Sequence, residues 1–227
     1  MIPLKDENPT RIFPFVTIGV IAVNILLFIY QLSLGPGYER FIFAYGALPY
    51  EITHGVDIGP QVQIPLFFTI YTSMFMHGGF MHIIGNMLYL WIFGNNIEDS
   101  MGHIRFIFFY LICGTAASLA HIFANPNSKI PMVGASGAIS GILGAYILLF
   151  PHARILTLVM MGFFVRIIKV PAVIVLGFWI VLQFLNSAAA FSSEGGGVAW
   201  LAHIGGFFAG LLLINFFKKP YEFSQYQ

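Results

Sequence analysis

The sequence predicts an all-α fold, a polytopic membrane helical bundle with six transmembrane helices in one domain over residues 1–227. Composition is the first reason: 58% of the residues are hydrophobic and only 8% are charged, whereas about a quarter of the residues in a soluble domain are charged. The second reason is a series of apolar runs that reach or approach the roughly 20 residues a helix needs to cross a bilayer. A water-soluble surface cannot be built from such a chain.

Six apolar segments are predicted to span the membrane, five of nearly full length and one shorter. The first segment lacks a small-residue cleavage site and is longer than the apolar core of a signal peptide, so we interpret it as a span. The approximate boundaries of the six spans are 13–31, 77–95, 104–124, 136–150, 170–190 and 200–217.

The apolar run between Arg154 and Arg166, ILTLVMMGFFV, is only about 11 residues long and is too short to cross. We expect this run to lie in the interface or to form a re-entrant loop. The segment 33–76 mixes turn residues with aromatics, and it is expected to be a structured amphipathic element in the outer interface.

The distribution of cations predicts that both termini are cytoplasmic, because cytoplasmic loops hold most of the lysine and arginine. With six spans and the N-terminus inside, Arg40 and Lys129 are the cations left outside. The cytoplasmic cations are Lys5, Arg11, Arg105, Arg154, Arg166, Lys169, Lys218 and Lys219. The layout suggests an integral plasma (inner) membrane protein, and the net charge of +1 argues against a nucleic-acid partner.

Polar side chains inside spans are the first candidates for chemistry, because they are costly in a membrane. Four stand out: His82, Asn86, Ser136 and His203. The helix that follows Ser136 to Phe150 has about 15 residues, or roughly 22 Å, which is shorter than a hydrocarbon core of about 30 Å. We therefore expect Ser136 to lie below the outer surface of the membrane. The chain just before Ser136 is expected to be irregular, and irregular backbone at that depth is tolerated only beside protein or water, so a water-filled pocket should lie above the serine.

His203 is predicted at a similar depth to the serine. It precedes Lys218 by 15 positions, just as Ser136 precedes Pro151 by 15, and both Lys218 and Pro151 mark the cytoplasmic end of a span. A neutral imidazole is a suitable base for activating a serine hydroxyl near pH 7. The sequence thus predicts Ser136 as nucleophile and His203 as its base.

Two glycine pairs indicate that the helices of this serine and histidine pack closely. Gly137 and Gly141 follow the serine, and Gly206 and Gly210 follow the histidine. Each pair is a GxxxG pattern, which allows two helix backbones to approach. Contact between these faces would bring the hydroxyl and the imidazole together.

His82 and Asn86 stand four residues apart and share one face of the second predicted span. Both side chains could donate hydrogen bonds to the oxyanion of a tetrahedral intermediate, alongside the backbone N–H of Ser136. Glu98 and Asp99 fall at the cytoplasmic end of the same span, so no intramembrane carboxylate is left to orient the histidine. A catalytic dyad is therefore expected.

These residues lie in motifs that resemble the rhomboid family of intramembrane serine proteases. The motifs cover roughly 64–217 and are HGGFMHIIGN, GNNIEDSMGHIRF, GASGAISG and AHIGGFFAG. The resemblance implies a rhomboid-like bundle of six spans, the Ser136–His203 dyad and the oxyanion donors already named. It also implies cleavage of single-span transmembrane proteins near the outer face.

The resemblance carries two further implications and two departures. It implies that Glu98 is a structural residue of the loop after the second span, and that the fifth span with the outer loop near 191–199 gates substrate entry. Many relatives have a Trp–Arg pair where this chain has Phe68 and Thr69, so the anchoring of that loop differs. Some relatives stack a tyrosine on the histidine from the position held here by Ser140.

The sequence favours hydrolysis over three other functions. A zinc site could draw on His77, His82 and His203, but no HExxH pattern or carboxylate accompanies them, so no metal and no cofactor is expected. A transporter would show repeated halves or a charged residue at the midplane. The main alternative is a catalytically inactive rhomboid-like protein that binds membrane proteins.

Five further histidines have no expected part in the chemistry. His77 and His121 are interpreted as interface, packing or helix-capping residues, and His54, His103 and His152 as ordinary loop residues. The expected partners are single-span membrane-protein substrates and membrane lipid.

Overall fold

The computed structural model describes residues 1–60, 64–162, 164–191 and 199–220, and within these ranges the protein is mostly helical. Short 3₁₀ turns lie at Gly35–Gly37 and Leu66–Phe68. The α-helices of the described residues are α1 (Phe15–Ser33), α2 (Tyr38–Tyr45), α3 (Pro49–His54), α4 (Thr69–Ser73), α5 (Phe80–Met101), α6 (His103–Ala124), α7 (Ser136–Leu149), α8 (Ala172–Phe191) and α9 (Trp200–Phe217).

Long apolar helices dominate this architecture. Among the described residues, the four helices α1, α6, α8 and α9 are long and apolar enough to cross a membrane, and α7 is apolar but shorter, with 14 residues. Helix α5 has 22 residues, and polar side chains such as Asn95 and Asp99 occupy its last turns. It begins at Phe80, later than the predicted boundary at 77, and it continues to Met101, well beyond 95.

The prediction of an all-α fold is confirmed only in part, because the mostly helical protein also contains a three-stranded antiparallel sheet. The strands are β1 (Ile2–Asp6), β2 (Arg154–Met161) and β3 (Phe164–Pro171), in the order β1-β2-β3. Strands β2 and β3 form a hairpin, and Ile2 pairs with Leu158 to add the N-terminal strand. The run expected at the interface or as a re-entrant loop is therefore a β-hairpin.

Local sequence explains the hairpin. The stretch from 154 to 171 contains several β-branched residues, which suit a pleated strand. Gly162, at φ +59°, allows the left-handed turn between the two strands. The length of the apolar run excludes a membrane span, but it does not decide which secondary structure the run adopts.

The sheet is tied to helix α7 through Asp6. The Tyr146 hydroxyl donates a hydrogen bond to the Asp6 carboxylate, Oη to Oδ2, at 3.1 Å. Burial raises the pKa of the Asp6 carboxyl. This contact fixes the end of α7 opposite Ser136.

Glu98 connects the first three long helices. Its fully buried carboxylate accepts hydrogen bonds from the backbone N–H groups of Val16 and Thr17, at 2.9 and 2.8 Å, and from the Thr17 hydroxyl at 2.6 Å. His103 Nδ1 lies 2.6 Å from the same carboxylate. Glu98 lies inside α5 and His103 begins α6, so the prediction that both residues lie in a loop is wrong. The Glu98 carboxylate accepts hydrogen bonds from backbone N–H groups that have no partner within the first turn of α1.

The segment 33–76 is structured, as expected, and consists of short helices in its described part. The Thr72 hydroxyl donates to the Tyr45 carbonyl at 2.6 Å, and an antiparallel bridge joins Ala47 to Met132. Thr69 is buried, whereas Phe68 is 55% exposed. The hydroxyl-to-carbonyl hydrogen bond thus joins two parts of this segment, and the bridge to Met132 anchors the segment to the chain before Ser136 in the absence of the Trp–Arg pair.

Glycine allows α7 and α9 to pack backbone against backbone. A Cβ atom built on Gly206 would overlap the carbonyl oxygen of Gly137, and one built on Gly210 would overlap that of Gly141. Two GxxxG faces therefore meet directly, which is the geometry that brings helices closest together. The contact places the first turn of α7 beside the first turn of α9.

Candidate active site

Ser136 and His203 lie within hydrogen-bond distance of each other. Ser136 Oγ is 2.8 Å from His203 Nε2. The serine is the first residue of α7 and the histidine lies in the first turn of α9, so the glycine contact just below holds both side chains in place. A hydroxyl at this distance from an imidazole nitrogen can transfer its proton to it.

Both side chains line a cavity of about 890 Å³. The same cavity is lined by His82 and Asn86 from α5 and by Trp179 from α8. It is large enough to admit a peptide segment beside the serine. The four polar residues singled out from the sequence thus share one recess.

Gly134 shapes the backbone that leads into Ser136. Its φ of +126° is rarely accessible to other residues, and its N–H donates to the Ser73 carbonyl at 2.8 Å. A Cβ at this position would come within 2.6 Å of His82 Nε2. The missing side chain therefore lets the His82 ring lie against the loop before the serine.

Asn86 is held by His77, which was expected to be an interface, packing or helix-capping residue. Its Nδ2 lies 2.9 Å from Nε2 of the fully buried His77. The His77 and His82 rings are 5.1 Å apart in an edge-to-face arrangement. One N–H of the Asn86 amide is thereby used for orientation, and the second makes no hydrogen bond to any described residue.

Two tryptophans enclose the His203 imidazole. The ring centroid of Trp179 lies 5.8 Å away, and that of Trp200 lies 6.0 Å away at an interplanar angle of 85°. Ser140, where some relatives place a stacking tyrosine, instead donates its hydroxyl to the Ser136 carbonyl at 2.6 Å. The aromatic packing of the histidine therefore comes from α8 and α9.

Gln183 was missed in the sequence, although it contacts His203 directly. Its Oε1 lies 2.8 Å from His203 Nδ1, on the opposite side of the ring from Ser136. Only intramembrane carboxylates were expected to orient the histidine. The available signal was a glutamine inside a predicted span, where a polar side chain is costly.

The remaining site expectations concern a metal and the gating loop. Within the described ranges, no group of three or more His, Cys, Asp or Glu side chains is placed to hold a metal ion. His121 Nδ1 is buried without a hydrogen-bond partner in the same part of the chain. Residues 192–198 of the expected gating loop lie outside the described residues.

The fold and the site define a multi-pass membrane protein with a serine–histidine pair in an internal cavity. A family model for the rhomboid domain matches residues 66–220, and the chain belongs to the rhomboid family. Its homologues include rhomboid proteases from bacteria and eukaryotes.

Three relatives illustrate this homology. Rhomboid protein 1, mitochondrial, of Saccharomyces cerevisiae is 33% identical over 162 residues, covering 68% of this chain and 43% of that protein. RHOMBOID-like protein 5 of Arabidopsis thaliana is 31% identical over 142 residues, covering 63% and 41%. Rhomboid protease GluP of Bacillus subtilis is 29% identical over 209 residues, covering 92% and 36%. The chain spans less than half the length of each of these relatives.

Proposed function

We propose that the protein is an intramembrane serine endopeptidase that hydrolyses peptide bonds in or near the transmembrane helices of single-span membrane proteins. The observation that carries this proposal is the 2.8 Å contact between Ser136 Oγ and His203 Nε2 inside a cavity. Homology to rhomboid proteases supports the same reaction class.

In the proposed reaction, His203 Nε2 takes the Ser136 proton as the serine oxygen attacks the scissile carbonyl. The resulting oxyanion accepts hydrogen bonds from His82, Asn86 and the Ser136 backbone N–H. The protonated imidazole then donates its proton to the leaving amine, and an acyl-enzyme remains. His203 next takes a proton from a water molecule, whose attack on the ester releases the second product and returns the proton to Ser136.

The apolar surface of α8 beside the cavity supports the proposed substrate class. Helix α8 contributes Trp179 to the cavity wall and presents large exposed apolar side chains, including Ile174, Phe178 and Val181. An exposed apolar helix surface suits contact with lipid or with another apolar helix. A single transmembrane helix that unwinds locally could reach Ser136 from this side.

The proposal includes a six-span topology in the plasma membrane. The four long apolar helices, together with α5 and α7, would form the spans, and both termini would face the cytoplasm according to the distribution of cations. The site would then open toward the outer side. Cysteine accessibility labelling on the two sides of inverted and right-side-out vesicles measures this orientation.

The test of the proposed function compares the wild type with Ser136→Ala. Both are reconstituted in liposomes with a panel of tagged single-span proteins and exposed to an alkyl fluorophosphonate probe. The proposal expects cleavage and covalent labelling from the wild type and neither from the variant. A folded wild type that is not labelled, or equal labelling of both proteins, would instead favour the binding protein.

Asn86→Ala is expected to reduce turnover partially. One oxyanion donor contributes at most about 4 kcal/mol in a water-soluble precedent, a loss of up to roughly 10³-fold in kcat, and the other two donors remain. The measurement is kcat and KM on one cleaved substrate, with thermal unfolding in detergent to check that the fold survives loss of the His77 contact. Unchanged kcat would remove Asn86 from the oxyanion site.

A further inference from the structure

We propose that Gln183 is a positioning residue that fixes which nitrogen of His203 carries the proton. This inference rests on the proposed function, because it assigns a role within the same serine–histidine pair. Gln183 is 5% exposed and lies on α8, one turn after Trp179.

Both ends of the Gln183 amide are engaged. Oε1 lies 2.8 Å from His203 Nδ1, and Nε2 donates to the Trp179 backbone carbonyl at 3.0 Å. The second contact decides the orientation of the amide, because a carbonyl oxygen only accepts hydrogen bonds. If the amide were flipped, its oxygen would face the Trp179 carbonyl oxygen, and two acceptors would meet in a buried site.

A fixed amide fixes the tautomer of the histidine. Oε1 has no proton to give, so the short contact to His203 requires a proton on Nδ1. In the neutral ring Nε2 then carries a lone pair, and it accepts the Ser136 hydroxyl proton across 2.8 Å. Gln183 therefore holds the imidazole ready to act as a base.

A neutral partner suits this environment better than a carboxylate would. Trp179 and Trp200 enclose the ring, and an ionised side chain beside them would carry a large desolvation cost. In a water-soluble triad, an amide in place of the carboxylate costs about 10⁴-fold in kcat because it selects the wrong tautomer. Here the Trp179 carbonyl prevents that outcome by holding the amide N–H groups away from the ring.

The test uses variants that remove the acceptor. Gln183→Leu and the unbranched Gln183→Met lack the amide oxygen that receives the Nδ1 proton. Asn24→Leu is the matched control, because Asn24 is also a buried amide whose Nδ2 donates to the carbonyl four residues earlier, that of Val20, at 2.7 Å. Each variant is measured for kcat, KM, the rate of fluorophosphonate labelling and thermal unfolding in detergent.

We expect Gln183→Leu and Gln183→Met to lower kcat by about 10- to 100-fold, the range found for residues that orient a metal-ligating histidine through its second ring nitrogen. KM should be unchanged, and the labelling rate should fall with kcat. Asn24→Leu should keep wild-type kcat.

Three results would overturn the inference. They are wild-type kcat in folded Gln183→Leu or Gln183→Met, a loss confined to KM, and a fall in kcat with an unchanged labelling rate. In each case the proposed function stands, because the wild type cleaves. A wild type that neither cleaves nor labels would overturn the proposed function together with this inference.

Discussion

His203→Ala should lose essentially all turnover while the protein stays folded. Without the imidazole nothing takes the Ser136 proton, and loss of one member of a serine–histidine unit lowers kcat by about 10⁴-fold or more in water-soluble proteases. The fold should survive, because the ring is held by Trp179, Trp200 and one neutral amide, with no carboxylate hydrogen-bonded to it in the described part of the chain. The measurements are substrate cleavage in liposomes and fluorophosphonate labelling.

The matched control is His121→Ala, which removes a second histidine from a long apolar helix. His121 Nδ1 makes no hydrogen bond within the described residues, so this variant should cleave at a rate close to that of the wild type. Wild-type cleavage by His203→Ala, with both proteins folded, would remove the dyad from the mechanism.

Among glycine-to-alanine substitutions in the described part of the chain, Gly210→Ala should cause the largest loss of stability. The added Cβ would overlap the carbonyl oxygen of Gly141 and come within 2.7 Å of its Cα. These are backbone atoms of a packed helix, so no side chain can rotate away and the two helices must separate. The cost lies at or above the upper end of the roughly 1 to 3 kcal/mol usual for overpacking.

Separation of these helices should also reduce activity, because Ser136 and His203 lie on the two backbones concerned. Gly19→Ala is the control, since a Cβ there meets nothing within 4 Å, and alanine in a helix is favourable. Thermal unfolding in detergent and cleavage in liposomes are measured for both variants. Equal unfolding temperatures for Gly210→Ala and the wild type would contradict the direct contact of the two helices.

The approach of Ser136 to His203 could be predicted because both lie on regular helices whose far ends are marked by Pro151 and Lys218. A constant rise per residue converts position along the chain into depth, and glycine spacing indicates which faces meet. Their catalytic roles stay proposals. Residues inside regular helices were thus placed more reliably than those between them.

The β-hairpin and Gln183 were missed for different physical reasons. A short apolar run is compatible with a strand, an interfacial helix or a re-entrant loop, and only pairing with β1 decides among them. Gln183 acts through a partner 20 residues away on the next helix, and a neutral amide carries no charge pattern that reveals such a contact. Similarly, the Glu98 cluster depends on α1 docking far from it in sequence.

The pairing of Ile2 with Leu158 has a consequence for biosynthesis. About 150 residues separate the partners, and at a synthesis rate of roughly 5 to 20 residues per second the first strand waits on the order of ten seconds for its neighbour. During that interval the backbone N–H and C=O groups of β1 form hydrogen bonds with water or with a transient binding partner. Ribosomes stalled before residue 154 should therefore carry a nascent chain in which the segment Ile2–Asp6 is open to proteolysis, and release past residue 171 should protect that segment.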